Sequence, residues 1–208
     1  MSKYGRETQQ LLTASDQIFD IFSSDHQRNV VNCRKRKKKG DFDMTHVIHE
    51  IPPVYDKNCK ILVLESFPSV KSREGQFFYH HKQNRFWKVL SSITKDQLPE
   101  SIDEKKSFLL RHHIAVWDVI ASCDIEGSSD SSIKNAIPND FSEILKAAPI
   151  RQIYTNGGTA YKLYHKYCEK ITGIEAIKLP STSPANASFS LERLISQWNV
   201  ILDQISKD

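Results

Sequence analysis

Apolar positions along this chain collect into short runs and stripes, most of them after about residue 45. The run Ile61-Leu62-Val63-Leu64 is apolar throughout, the pattern of a strand buried on both faces. Ile114–Val119, Gln152–Thr155 and Glu175–Leu179 are three further short strand candidates. Between them the apolar spacing becomes helical, over about Arg85–Ile93, Asp103–His112, Phe141–Ala148, Thr159–Ile171 and Leu191–Ile205. Asn84 stands where the first of these helices needs a cap. Asn156-Gly157-Gly158 reads as a tight turn from strand to helix. The polar stretch Ser122–Pro138, with serines at 128, 129, 131 and 132, predicts a loop. Strands alternating with helices predict an α/β fold: a three-layer α/β/α arrangement around a short central four-stranded parallel sheet.

Residues 1–45 follow a different pattern. They predict a basic, flexible extension, and residues 46–208 the folded domain. Within the extension, Thr13–Ser23 can form a short amphipathic helix that docks on the domain or on a partner. The run Arg34, Lys35, Arg36, Lys37, Lys38 and Lys39 exceeds the whole chain's net charge of +4, so the remainder is slightly acidic. Such a run reads as a nuclear address, as a nucleic-acid patch, or as a merely solvated segment. The address reading places the protein in the nucleus if the cell has one, and otherwise in the cytoplasm. Cys33, Cys59, Cys123 and Cys168 are scattered without CxxC spacing. That argues against a disulfide framework, a zinc site or an iron–sulfur cluster. No apolar stretch is long enough to span a membrane, and Met1–Gln10 lacks the apolar segment of a secretory signal.

Candidate chemistry lies at the strand ends, where open α/β sheets bind ligands. The strand at Ile61–Leu64 runs into Glu65-Ser66-Phe67-Pro68-Ser69, then Gly75-Gln76-Phe77-Phe78-Tyr79-His80, then Gln83-Asn84-Arg85-Phe86-Trp87. The last strand runs into Pro180-Ser181-Thr182-Ser183-Pro184-Ala185-Asn186-Ala187-Ser188.

These blocks, with Val116-Trp117-Asp118-Val119, Gly127-Ser128, Asp130-Ser131-Ser132-Ile133, Ile137-Pro138-Asn139-Asp140-Phe141 and Tyr154-Thr155-Asn156-Gly157, keep one order over about residues 47–205. In that order they resemble the hypoxanthine-DNA glycosylase (DNA-deoxyinosine glycosylase) family of the uracil-DNA glycosylase superfamily. The resemblance implies a three-layer α/β fold. It implies base-excision repair of DNA by hydrolysis of the N-glycosidic bond to a deaminated base, chiefly hypoxanthine, with uracil or xanthine in some members. It implies no metal and no redox cofactor, and DNA containing a deaminated base as the partner; no cofactor and a monomer are the expectation. A uracil-preferring glycosylase and a catalytically weak nucleic-acid-binding homologue are the alternatives.

Residue by residue, the resemblance makes Asn84 the catalytic amide, although spacing alone makes it a helix cap. Ser66, Phe67, Pro68, Gln76, Phe78, Tyr79 and Asp118 become the base pocket, with Phe67 as its stacking platform. Ser69, Lys71 and Ser72 on one loop, and Ser181, Thr182, Ser183, Pro184, Asn186 and Ser188 on the other, become the DNA contacts. Ser181 stands where other branches of the superfamily carry a His. Glu65 stands where family members carry Gly; its bulk and charge weaken activity, change base preference, or are tolerated with the side chain turned to solvent, and the expectation is that Glu65→Gly is neutral or activating.

Overall fold

The computed structural model of the chain describes residues 44–206. The predicted extension lies outside the described residues, apart from Met44 and Thr45. The predicted helix at 13–23 and the basic run Arg34–Lys39 therefore lie outside them too.

Seven strands are present among the described residues: β1 (Thr45–Ile48), β2 (Ile61–Glu65), β3 (Ile114–Asp118), β4 (Ile120–Ile125), β5 (Lys134–Pro138), β6 (Gln152–Asn156) and β7 (Ala176–Leu179). The helices are α1 (Val70–Glu74), α2 (Phe86–Thr94), α3 (Ile102–Arg111), α4 (Ser142–Ala147), α5 (Gly158–Tyr167), α6 (Glu169–Thr172), α7 (Leu191–Trp198) and α8 (Leu202–Ile205).

Strands β3-β2-β6-β7 form the central sheet in that order, every pair parallel. Alternate residues of β2 enter different cores, so the strand must be apolar throughout. Ile61 and Val63 join Ile114, Val116 and Tyr154 against Phe86 and Leu90 of α2, Phe108 of α3, and Leu194 and Trp198 of α7. Leu62 and Leu64 join Ala115 and Ile153 against Ile144 of α4, Ala160 and Tyr164 of α5, and Ile120 and Cys123 of β4. Each such fully buried aliphatic side chain contributes roughly 1.5–3 kcal/mol. Helices thus cover both faces, and the architecture is a three-layer α/β/α one.

The polar stretch Ser122–Pro138 is a correction: much of it is sheet. β4 follows β3 after one residue, Val119, and pairs antiparallel with β1 on one side and β5 on the other. β4 is mostly buried, with Ala121 and Asp124 part-exposed, and its pairing with β5 is irregular around Ser122 and Asp124, so no clean two-residue alternation marks it. Its serines and aspartates depress strand propensity, and its partner β1 is far away in sequence. Two helices also end sooner than predicted. The one predicted over 159–171 breaks at Cys168 into α5 and α6. The one predicted over 191–205 passes through a 3₁₀ turn at Asn199–Ile201 between α7 and α8.

Candidate active site

The carboxyl end of the central sheet finishes in a row of side chains. In register, Asp118 of β3 lies beside Glu65 of β2, and Asn156 of β6 beside Leu179 of β7. Leu64 pairs with Thr155, so Asn156 continues the row next to Glu65. Paired residues in a parallel sheet point to the same face. Glu65, Asp118 and Asn156 therefore emerge on the face that carries Val63, Val116 and Tyr154, toward Tyr79 and α2.

From Asn156 a relay of hydrogen bonds leads to Asn84. Thr182, fully buried, donates its backbone N–H to Asn156 Oδ1 at 2.9 Å. Asn156 Nδ2 donates back to Thr182 Oγ1 at 2.9 Å. Thr182 Oγ1 donates to Asn84 Oδ1 at 2.9 Å. Asn84 Oδ1 also accepts from the backbone N–H of Phe86 at 3.0 Å. Two backbone donors thus fix which way each amide points, and with it the direction of the Thr182 hydroxyl. The consequence is chemical. The Asn84 oxygen is used twice, while its Nδ2 makes no hydrogen bond to another described residue. Arg85, not Asn84, occupies the cap position of α2, yet Asn84 is the side chain that satisfies the first-turn N–H.

Gly157 lets this relay close. Its φ of 101° is one that L side chains rarely adopt, and a Cβ there would lie 3.0 Å from Ser181 Cβ. Its N–H donates to Leu179 O at 2.9 Å, holding the ends of β6 and β7 together.

The acids of the row sit in an unusual setting. Burial, then the charges of Asp130 and Asp118, push the Glu65 carboxyl well above the usual carboxylate range, and the Asn156 amide donates toward it and partly offsets the rise. Burial and Asp130 push Asp118 up as well, and neither of its carboxyl oxygens has a hydrogen-bond partner. Asp130 accepts from Ser66 Oγ at 2.9 Å and from Thr159, which offsets part of its own rise by burial. Tyr79, at φ 51°, stacks on Phe86 with ring centroids 3.6 Å apart. Its buried hydroxyl makes no well-formed hydrogen bond among the described residues, and its ionisation is opposed by burial and then by Glu65, with the nearby Asn156 amide offsetting part of the rise.

His49 flanks Asp118. Its side chain is 2% exposed, and Nε2 lies 3.8 Å from Asp118 Oδ2. That nitrogen donates to Ile120 O at 2.9 Å. Burial lowers its pKa to about 4, against the raising effect of the Ile120 bond. The folded state therefore binds fewer protons than the unfolded chain between about pH 6.5 and 4. Stability from this group is full above 6.5 and is lost as pH falls through that window, by up to about 3 kcal/mol. Urea unfolding at pH 7 and pH 4.5 reads this loss as the difference between wild type and a variant that cannot charge at this position, because the raised carboxyls of Glu65 and Asp118 act in the opposite sense over the same window. His49→Gln, which keeps a donor for Ile120 and cannot charge, should remove most of it; an unchanged pH dependence would contradict the assignment.

The two loops flanking Asn84 are tied together by Arg85. Its guanidinium donates to Thr182 O (3.3 Å), Ser183 O (2.6 Å), Asn186 O (3.0 Å) and Phe189 O. Its backbone N–H adds a further bond to Thr182 O at 3.1 Å. Arg85→Ala should cost roughly 3 kcal/mol in urea unfolding, since several charge-assisted bonds go at once. Arg85→Lys should recover only part of it, because one ammonium cannot span four carbonyls. Full recovery by Lys would show that charge alone matters.

The residues singled out in the sequence fall into three groups. Asn84, Tyr79, Asp118 and Thr182 converge on the row and relay, and Ser66 joins its edge through Asp130. Ser69, Lys71, Ser181, Ser183, Pro184, Asn186 and Ser188 lie on the flanking loops. There Ser69 caps α1 by accepting from Ser72 N, and Asn186 Nδ2 donates to Ser181 O at 2.8 Å. Lys71, paired with Glu74, shares a groove of about 690 Å³ with His80, His81 and Lys82, immediately before Asn84.

The third group is corrected. Phe67 is 3% exposed, with His49 at its edge and Arg73 over its ring, and belongs to the second core. No face of it remains for a base. Phe78 is core beside Phe77. Pro68 is buried under the turn, its carbonyl accepting from Arg73. Gln76 donates to Arg73 O and lines a different groove, of about 280 Å³, with Pro53 and Lys106. Ser72 and Thr182 are buried, so neither side chain meets DNA phosphate.

Sequence reasoning missed His49 and Arg85, and read Asn156 only as a turn. A His just after a strand and an Arg opening a helix carry no signal without their partners. Asn156 did carry one: it precedes a Gly at a strand end, where a polar side chain is turned inward.

A sequence model of the Uracil DNA glycosylase superfamily matches residues 52–201. The chain is 36% identical over 152 residues to a protein of Methanosarcina acetivorans named Hypoxanthine DNA glycosylase, covering 72% of this chain and 94% of that one. A protein of the same name from Methanosarcina barkeri is 33% identical over 148 residues, covering 71% and 92%. The chain belongs to the uracil-DNA glycosylase superfamily, in its hypoxanthine-DNA glycosylase family. A Methanosarcina acetivorans protein solved by NMR in solution has a TM-score of 0.67 and 32% identity, covering 78% of this chain and all of its own. The superfamily fold thus spans the described domain. Among the described residues, no helix is long and apolar enough to cross a membrane, and no cluster of three or more His, Cys, Asp or Glu could hold a metal ion.

Proposed function

We propose that this protein is a monofunctional DNA glycosylase that hydrolyses the N-glycosidic bond of deaminated bases in DNA, chiefly hypoxanthine, with uracil and xanthine as further substrates. The observation that carries this reading is the Asn156–Thr182–Asn84 relay at the sheet's carboxyl end, which leaves one amide donor uncommitted. Two relatives that share most of their length with this chain bear the name of that activity.

A base inside a duplex cannot be attacked in place, so the nucleotide must be extruded into the site. Bond breaking then leaves positive charge on the sugar and negative charge on the departing base. Asn84 Nδ2 is a fixed donor for a carbonyl of that base or for the attacking water. Its oxygen is already committed, so it positions rather than deprotonates. The Tyr79 hydroxyl lies among the acids of the row, which adjoin the relay through Asn156. The loop 181–188 and the groove beside Lys71 and Lys82 supply hydroxyls, backbone N–H groups and positive charge for phosphates. The protein works on DNA as a monomer. The run Arg34–Lys39 tethers it to DNA or addresses it to a nucleus, where the cell has one.

The test is single-turnover cleavage of labelled duplexes carrying one hypoxanthine, uracil or xanthine. Cleavage fastest at hypoxanthine supports the reading. Cleavage at uracil alone keeps the mechanism and moves the substrate. No cleavage by a folded, DNA-binding protein leaves a binding homologue.

A further inference from the structure

The relay uses Asn84, Thr182 and Asn156 and leaves the two acids of the row, Glu65 and Asp118, without a task. Glu65 is the nearer of the two to the relay, being adjacent to Asn156. It keeps some exposure, whereas Asp118 is sealed. Its side chain is not turned away to solvent, as a tolerated replacement of Gly would be. The groups that face it are Asp118 from β3, Asp130 from the 3₁₀ turn at Asp130–Ser132, Tyr79 from the loop before α2, and Asn156 from β6. No cation pairs with it among the described residues. Arg73 of α1 is committed to the carbonyls of Pro68 and Gly127, and the neighbouring His49 is uncharged. A carboxyl in such company holds its proton more tightly than one in water.

On the glycosylase reading above, we propose that Glu65 is a proton donor to the departing purine. Its carboxyl O–H gives the proton to N7 of hypoxanthine as the bond between C1′ and N9 breaks. Both electrons of that bond leave with the base, which departs neutral. Water adds its oxygen to C1′, and the proton it sheds returns to the Glu65 carboxylate, restoring the acid. Asp118 is a positioning residue: two adjacent carboxyls resist ionising together, so the pair holds a proton where one acid alone would lose it. A pyrimidine has no imidazole nitrogen to receive the proton, so this acid favours purines.

The test is the pH dependence of single-turnover hypoxanthine cleavage by the wild type, Glu65→Gln, Glu65→Gly and Asp118→Asn. The proton-bearing form is the active one. The wild-type rate should therefore hold below the raised pKa of the pair and fall about tenfold per pH unit above it. Glu65→Gln, equal in shape and neutral, should lower the plateau on the order of 10²-fold and abolish the alkaline fall. Glu65→Gly should behave likewise, with melting temperature and DNA affinity reported beside it. Asp118→Asn should shift the fall without removing it. Active wild type together with Glu65→Gln of equal rate and the same alkaline fall overturns this proposal alone. A wild type that cuts no base at any pH overturns the glycosylase reading, and this one with it.

Discussion

Replacing Asn84 by Ala is expected to slow single-turnover cleavage at hypoxanthine by roughly 10²–10³-fold, the usual loss when one preorganised donor is removed from a reacting centre. Binding of the same DNA should stay within about threefold, because phosphate contacts carry most of the affinity. The Ala variant alone is ambiguous, since Asn84 also satisfies the Phe86 N–H. Losing that bond should cost about 1 kcal/mol of stability. Asn84→Asp separates the two roles. A carboxylate still accepts from Phe86 N and Thr182 Oγ1, so stability should return toward wild type. The Nδ2 donor is gone, so cleavage should not. Recovery of cleavage with Asp would show that Asn84 serves only as an acceptor and cap.

That distinction marks where the sequence was legible. The central sheet was, because both its faces are buried: Ile61–Leu64 has no polar position to confuse the pattern, and helical stretches separate β2 from β3 and β6 from β7. The antiparallel sheet was not. β4 carries Ser122 and Asp124 on its length, pairs irregularly with β5, and depends on the distant β1 for its other edge. Asn84 was legible as an amide before a helix, and the resemblance supplied its role. The direction of that amide was not, because it is set by Thr182, 98 residues away. Phe67 shows the opposite failure. An aromatic at a strand-end turn reads equally as platform or core, and only the packing of His49 and Arg73 around it decides for core. Glu65 appeared in the sequence as a departure from the family. Its meaning as an acid came only when register placed Asp118 on one side of it and Asn156 on the other.

Thr182 carries the second large effect, although it touches no substrate. Its hydroxyl accepts from Asn156 and donates to Asn84, and no solvent reaches it to substitute for either bond. Thr182→Val keeps the shape and removes both. Asn156 Nδ2 then loses its buried acceptor, which costs about 1–3 kcal/mol, read as a lower midpoint in urea unfolding. The Asn84 amide keeps only the Phe86 bond and is free to rotate about it. Cleavage should fall by roughly 10-fold or more, since a small misplacement of a positioned group is expensive in rate. Thr182→Ser restores the hydroxyl and both bonds, leaving a cavity of one methyl group at about 1 kcal/mol. The two variants should therefore part company: Ser slightly unstable and active, Val unstable and slow. If Ser and Val lose activity equally, the relay does not position Asn84, and Thr182 matters only as packing. If Val is as active as wild type while its stability falls, the Asn84 amide is held by Phe86 alone. The first outcome would move attention to the loop 183–189 that Arg85 clamps, the second to the start of α2.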